Sequence, residues 1–328
     1  MKLGIVGNGG IVKGALRSLQ STDIPVMELW CRNREKGEAL QRDYEIPKYE
    51  NDYDVFLRDD SYDTVYIGLV NSLHYSYAKK ALQAGKNVIV EKPFTSTYRE
   101  ARDLFDTAME NHVSLFEGIM SRYADNYECI IQHLDEIGDP KIIYSNFSQY
   151  SRRYDAYLDG NVLPAFDPAL SGGALYDINV YNVSLLTGIF GVPKLSYYLA
   201  NRGFNGVDTS GVLIMDYGDF KAVCQGAKDS ISKNGTVIQG TKGYIEVKGR
   251  PSIVDQVMLH INEDNEDRDI GTGVEEDPLR KELVRIGQAV DEKDDTLVLK
   301  WLNQSLQTMY VLENARLDAG IEFPADKE

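Results

Sequence analysis

The chain is poor in the residues that mark several large protein classes. It has three cysteines, Cys31, Cys129 and Cys224, widely spaced and odd in number. That excludes a disulfide framework and any CxxC zinc site. The four histidines, at positions 74, 112, 133 and 260, have no metal-ligand spacing, so no metal is expected. No apolar run approaches the roughly 18 residues a membrane helix needs. The opening Met1-Lys2-Leu3-Gly4 is broken by glycine at once and does not read as a signal peptide. Basic residues are outnumbered 51 to 35, for a formal net charge of −16, and no block of clustered Lys and Arg occurs. Such a chain repels phosphate backbones, which excludes nucleic acid as a main partner. A reduced, cytoplasmic protein with no membrane partner is expected.

What is present is enough apolar residue for packed cores, 43% of the 328 positions. A chain of that length exceeds one ordinary core, so two domains are expected. Up to about Gly118, short apolar runs alternate with amphipathic stretches: Leu3–Val6, Val26–Trp30, Val65–Val70, Val88–Val90 and Val113–Phe116. Ser72–Ala84, ending at Gly85, and Tyr98–Glu110 have helical spacing between them. This alternation predicts βαβ units and a parallel sheet. Beyond it lie strand-like runs at Lys141–Tyr150, Ser210–Asp216, Phe220–Ala227, Gly235–Gln239 and Tyr244–Val247. Helical stretches lie at Tyr176–Phe190 and Thr296–Asp318, and the acidic segment Ile261–Glu276 reads as a surface loop. The fold class is therefore α/β: a Rossmann domain over residues 1–120, then an α+β domain with an open, mostly antiparallel sheet over 121–328.

Gly7-Asn8-Gly9-Gly10-Ile11-Val12 follows the first strand and opens a helix. Gly7 permits a tight turn, Gly9 lets backbone N–H groups approach a pyrophosphate, and the helix N-terminus attracts the anion. Gly7, Gly9, Gly10 and Ile11 are the candidate cofactor residues here. Val12 stands where the fingerprint has Gly or Ala, and its branched side chain crowds the helix against the strand. The second strand ends at Trp30-Cys31-Arg32-Asn33-Arg34 with no acid at its tip. Glu28 falls inside the strand, whereas Arg32, aided by Asn33 or Arg34, suits a ribose 2′-phosphate. NADP is favoured and NAD is the alternative.

Three further segments identify a family. Asn71-Ser72-Leu73-His74, then Ala84-Gly85-Lys86-Asn87-Val88-Ile89-Val90-Glu91-Lys92-Pro93, and finally Ser171-Gly172-Gly173-Ala174-Leu175-Tyr176-Asp177-Ile178-Asn179-Val180-Tyr181 lie in order along the chain. With the N-terminal glycines, they resemble the glucose–fructose oxidoreductase and inositol dehydrogenase family. Tyrosine at position 181 is most similar to the dihydrodiol and xylose dehydrogenases of that family. The resemblance implies a nicotinamide-dependent oxidoreductase of sugars, polyols or cyclic diols, a cis Lys92–Pro93 bond, and homodimers or larger oligomers. An alternating strand from Tyr144 to Tyr150 offers a face for such assembly.

The same resemblance makes Lys92, Asp177 and Tyr181 the catalytic candidates. Asn71, His74, Glu91 and Lys92 join the cofactor set, and Arg122 and Tyr123 join Asp177 as substrate-lining candidates. Asn179 stands where glycine is usual, which limits close approach of substrate there, and Met120 stands where tryptophan is frequent, which reshapes the pocket wall. Asp177 and Tyr181 are four apart on a helix-like segment and share a face. A phenol of ordinary pKa about 10 is a poor base at neutral pH unless an ammonium such as Lys92 favours its phenolate. Tyr181 and Lys92 would then handle the proton, while Asp177 orients the substrate hydroxyl or Lys92. The competing reading is a non-catalytic dinucleotide-binding regulator, which would not need the Glu91-Lys92-Pro93 and Asp177/Tyr181 sets. An assembly module built on the C-terminal sheet is compatible with either.

Overall fold

Short apolar strands separated by amphipathic helices build a six-stranded parallel sheet in the computed structural model, which describes residues 1–263 and 265–327. The strands are β1 (Leu3–Val6), β2 (Val26–Trp30), β3 (Lys48–Glu50), β4 (Thr64–Ile67), β5 (Asn87–Glu91) and β6 (Leu115–Gly118). The helices between them are α1 (Gly10–Leu19), α2 (Arg34–Asp43), α3 (Tyr53–Phe56), α4 (His74–Gln83) and α5 (Tyr98–Glu110). Every side chain of β1 and β4 is buried, as a sheet covered on both faces requires. The spatial order is β3-β2-β1-β4-β5-β6. It reverses between β1 and β4, the switch point where open α/β sheets place ligands at the carboxyl ends of their strands. Helix α5 starts on a capping box, with Thr97 accepting from the Glu100 N–H and Glu100 accepting from the Thr97 N–H.

The chain divides into two compact units, but not at a single point. The first unit takes residues 1–118 and 279–306, and the second takes 119–278 and 307–328. The division at residue 120 expected from the sequence is therefore incomplete. Helix α9 (Pro278–Glu292), whose apolar face carries Leu279, Leu283 and Ile286, packs back on the first unit; Gly287 lies beside Met1 and Ile24. On the following helix, α10 (Asp295–Asp318), Ser305 donates to buried Glu117 of β6 at 2.7 Å.

The second unit holds an eight-stranded sheet in the order β14-β13-β12-β11-β7-β10-β9-β8. Its strands are β7 (Pro140–Ser148), β8 (Leu195–Arg202), β9 (Asp208–Asp216), β10 (Lys221–Ala227), β11 (Gly235–Gly240), β12 (Gly243–Lys248), β13 (Gln256–Ile261) and β14 (Glu266–Asp269). Only β7 and β10 run parallel; the other pairs are antiparallel. The remaining helices are α6 (Asp125–His133), α7 (Tyr154–Leu158), α8 (Val180–Phe190), α9 (Pro278–Glu292) and α10 (Asp295–Asp318). The inner sheet face buries Ile143, Leu213, Met215, Ala222, Cys224, Ile238 and Ile245. On the outer face Val237, Tyr144, Val223, Ile214 and Tyr197 stand in register across five strands.

The segment Ile261–Glu276, expected to be a loop, instead carries β14 on the sheet edge, with Asp264 outside the described residues. Its Glu-Asp-Arg-Asp sequence has no apolar alternation; the backbone ladder to β13 holds it, together with side-chain pairs of Asp269 with Gln256, Asp267 with His260 and Arg268 with Glu136.

Candidate active site

The glycine turn is built as its sequence demands. Gly7 has φ +119°, and a Cβ there would lie 2.5 Å from the Gly68 carbonyl oxygen. Its N–H donates to the Trp30 carbonyl at 2.9 Å, tying the turn to the end of β2. Gly9 and Gly10 are exposed and have no atom within 4 Å of a built Cβ, so their backbone is open to an incoming group. No acidic side chain occupies the first turn of α1, which leaves the positive end of the helix uncompensated. Ile11 lies exposed on that turn. A dinucleotide pyrophosphate fits this cradle.

Val12 is accommodated by a residue the sequence reading did not connect with it. Val12 is fully buried, and a Cβ on Gly68, just past β4, would lie 2.6 Å from Val12 Cγ2. The crowding expected from a branched residue is absorbed by that second glycine. The turn is also pinned sideways: Asn8 Nδ2 donates to Cys31 Sγ at 3.0 Å, and Cys31 Sγ donates to the Asn33 carbonyl at 3.3 Å.

At the tip of β2, Arg32 and Arg34 are exposed, while the Asn33 side chain caps α2 by accepting the Lys36 N–H at 3.0 Å. Asn33 is thus committed to the helix. Glu28 is buried inside the strand, where burial first, and then the charge of Asp59, push its carboxyl up to about 7. It faces away from the strand tip in chemical terms as well: a desolvated acid held near neutrality is no ready acceptor for a ribose hydroxyl.

A second group forms around the carboxyl ends of β4 and β5. Asn71 lies in a short 3-10 turn, half-buried, immediately before α4. His74 is buried, with Nδ1 2.9 Å from the Pro93 carbonyl and Nε2 3.2 Å from the Leu69 carbonyl. It braces the two loops between which it stands. Burial first, with Lys92 adding repulsion, lowers its pKa. The Lys92–Pro93 bond is cis, and the Lys92 N–H donates to the Gly118 carbonyl at 3.2 Å. Glu91 is buried and accepts from the Tyr66 hydroxyl; burial pushes its carboxyl up to about 7.

In the second unit, Ser171-Gly172-Gly173 forms a turn that side chains would obstruct. Gly173 has φ +130°, and a Cβ there would meet Asp208 Oδ1 at 2.0 Å. The chain then enters a π-helical turn, Leu175–Asn179, that leads directly into α8. Such turns are rare and are frequent at functional sites. Asp177 lies on the π turn, and Tyr181 on the first turn of α8, with its ring 5.7 Å from Phe147. Asn179 does not face a pocket. It is fully buried, donates to the Cys224 carbonyl at 3.2 Å and accepts from Asn182 at 2.8 Å. Arg122 is buried and donates to Ser184 Oγ at 3.3 Å, and Tyr123 is fully buried.

One residue of this region escaped the sequence reading. Lys228, just past β10, is buried and pairs with Asp177, Nζ to Oδ2, at 2.8 Å. A signal for it existed: Ala222, Cys224, Gly226 and Lys228 share the inward parity of the strand. An ammonium on that face needs a partner.

Comparison with known proteins agrees with this fold. Residues 1–119 match the model of an oxidoreductase family with an NAD-binding Rossmann fold, and residues 133–246 match the GFO/IDH/MocA C-terminal domain. The chain is 29% identical to scyllo-inositol 2-dehydrogenase (NADP(+)) of Bacillus subtilis, over 100% of this chain and 99% of that one. It is 32% identical to trans-1,2-dihydrobenzene-1,2-diol dehydrogenase of Xenopus tropicalis, over 74% of this chain and 72% of that one. Among solved structures, a 3-ketoreductase from Actinomadura kijaniata, in complex with NADP and TDP-benzene, has the same fold. Its TM-score is 0.83 at 20% identity, over 97% of each chain.

Proposed function

The chain belongs to the GFO/IDH/MocA family of oxidoreductases, and on that premise we propose that it is an NADP-dependent dehydrogenase or reductase acting on a hydroxyl or carbonyl of a sugar, polyol or cyclic diol. The observation that carries the reading is the open, uncompensated glycine turn at the switch point of the parallel sheet. Gly7, Gly9, Gly10 and Ile11 would hold the pyrophosphate, with Asn71, His74 and Glu91 shaping the nicotinamide end. Arg32 at the tip of β2, with Glu28 buried out of reach, supports a 2′-phosphate and hence NADP. The NADP-linked inositol dehydrogenase and ketoreductase relatives support the same choice. When bound, the nicotinamide supplies the hydride for carbonyl reduction or accepts it from an alcohol.

The proton is the task of the chain's own residues. Tyr181 holds or releases it at its phenol oxygen, and Lys92 is the other candidate for the same step. Asp177 accepts a hydrogen bond from the substrate hydroxyl and so orients the reacting carbon, with Arg122 and Tyr123 supporting the substrate region. Tyr181→Phe and Lys92→Ala should each lower kcat by about 10²- to 10⁴-fold, the usual range for losing general acid–base help. Wild-type rates in both variants would overturn the assignment.

The reading extends to assembly and location. The outer face of the second sheet exposes Ile142, Tyr144, Leu195, Tyr197, Leu199 and Ile214, an apolar patch that suits a second copy of the chain. The three free cysteines fit a reducing cytoplasm.

A further inference from the structure

The ion pair between Lys228 and Asp177 is built into the second unit more firmly than a surface pair would be. The Lys228 backbone is clamped on both sides: its N–H donates to the Thr209 carbonyl at 2.9 Å, and its carbonyl accepts the Ser151 N–H at 2.8 Å. The side chain is 3% exposed. Its ammonium donates to the Ala165 carbonyl, sits 4.2 Å from the Phe166 ring centroid and reaches Asp177 Oδ2 at 2.8 Å. Asp177 itself is one-third exposed, 33%, so the pair has one buried, fixed member and one member that reaches solvent.

The surroundings hold further charge. Asp208 is buried, accepts the Leu175 N–H at 2.6 Å and the Tyr198 hydroxyl at 2.7 Å, and feels the Lys228 ammonium. Asp229 accepts from Thr209 and Ser210 close by, and it faces Tyr198 and Tyr154. Asp177 and Asp208 thus share one buried ammonium. Asp208 is spent on the backbone at the head of the π turn and on Tyr198. Asp177 is the carboxylate that the Lys228 ammonium reaches directly.

We propose that Lys228 is a positioning residue for the oxidoreductase reaction, holding the Asp177 carboxylate ionised and in one orientation so that Asp177 accepts from the substrate hydroxyl and does not exchange the reaction proton. The inference rests on the role given to Asp177 above. It divides the labour on the π turn and first α8 turn: Asp177 orients, and Tyr181 carries the proton. Lys228 does this from a fixed position, its ammonium held by the Ala165 carbonyl and the Phe166 ring as well as by Asp177.

The test combines kinetics with a titration that needs no turnover. Lys228→Gln should lower kcat/KM by roughly 10- to 100-fold, the usual scale for losing a charge-assisted hydrogen bond, and Lys228→Arg should restore much of it. In an Asp177→Asn background, Lys228→Gln should have no further effect, because the partner through which it acts is gone. A purely structural role would leave the two losses additive. In parallel, the ¹³C carboxyl resonance of Asp177 would be followed against pH, assigned by its loss in Asp177→Asn. It should titrate below the ordinary aspartate value of about 3.9 in the wild type and about 1–3 units higher in Lys228→Gln. Additive losses, or equal Asp177 midpoints in the two proteins, overturn the proposal. A wild-type midpoint at or above the ordinary value overturns it even if Lys228→Gln does not fold. Absence of turnover on every substrate would count against the oxidoreductase reading alone, and the titration then decides the role of Lys228 by itself.

Discussion

The packing of Val12 against Gly68 makes the cofactor turn testable without any substrate. A methyl group added at Gly68 would meet Val12 Cγ2 at 2.6 Å and Ile11 Cγ2 at 3.2 Å. Real Cβ atoms do not approach so closely, so Gly68→Ala must push α1 away from the sheet. Overpacking of this kind costs about 1–3 kcal/mol. Val12→Ala removes buried methyl groups and leaves a small void, a loss of about 1–2 kcal/mol at roughly 0.8 per buried carbon plus a cavity contribution. In the double variant the new methyl occupies part of the space the valine left. The summed cost should therefore fall short of additivity by about 1 kcal/mol or more. Urea unfolding of the four proteins gives the cycle, and fluorescence titration with NADPH gives the matching cycle for binding. NADPH affinity should drop in Gly68→Ala and recover in the double variant. Strict additivity in both cycles would refute the claim that Gly68 is glycine because position 12 is valine.

Other predictions concern pH and assembly. Glu28 binds its proton more tightly in the folded protein, near pH 7 against an ordinary 4.5, so its contribution is fully present below about pH 4.5 and is lost as pH rises through 7. The wild type should lose up to about 3 kcal/mol over that window from this group, at about 1.4 kcal/mol per unit. Glu28→Gln should flatten the fall in urea midpoint between pH 5 and pH 7; an unchanged slope would show that Glu28 ionises freely. On the outer sheet face, Leu199→Glu should shift the mass measured by analytical ultracentrifugation from dimer or larger to monomer. A monomeric wild type would refute the assembly.

Much of the fold could be read along the chain because its signals are local. Alternating apolar runs placed β1, β2 and β5, and helical spacing placed α5 at Tyr98–Glu110, where the Thr97/Glu100 capping box then fixes its start. The return of residues 279–306 to the first unit had no such signal. An apolar face on α9 says that the helix packs, not that its partners are Met1, Ile24 and Gly14 at the far end of the sequence. Strand β14 failed differently, since four charged residues carry no alternation, and the ladder to β13 and the Arg268–Glu136 pair exist only in the fold.

The site divides along the same line. Gly7 was legible because a positive φ and a close approach leave glycine little alternative. The roles of Gly68 and Asn179 were not. Val12 alone looks like a fault until its partner just past β4 is seen, and Asn179 alone looks like a limit on how closely substrate approaches. In the folded chain its amide is an anchor to β10, linked through Asn182 to Ser145 and on to Thr236. Lys228 lay between these cases: strand parity pointed inward, and only the fold supplied Asp177 as the reason.

The most direct test of the central claim is to follow nicotinamide absorbance with NADP⁺ and NAD⁺ against a panel of aldoses, inositols and cyclic vicinal diols. The expected result is reduction of NADP⁺ in preference to NAD⁺ by at least one member of the panel, lost in Lys92→Ala. Binding of NADP without turnover on any member, or turnover that Lys92→Ala leaves intact, would contradict it.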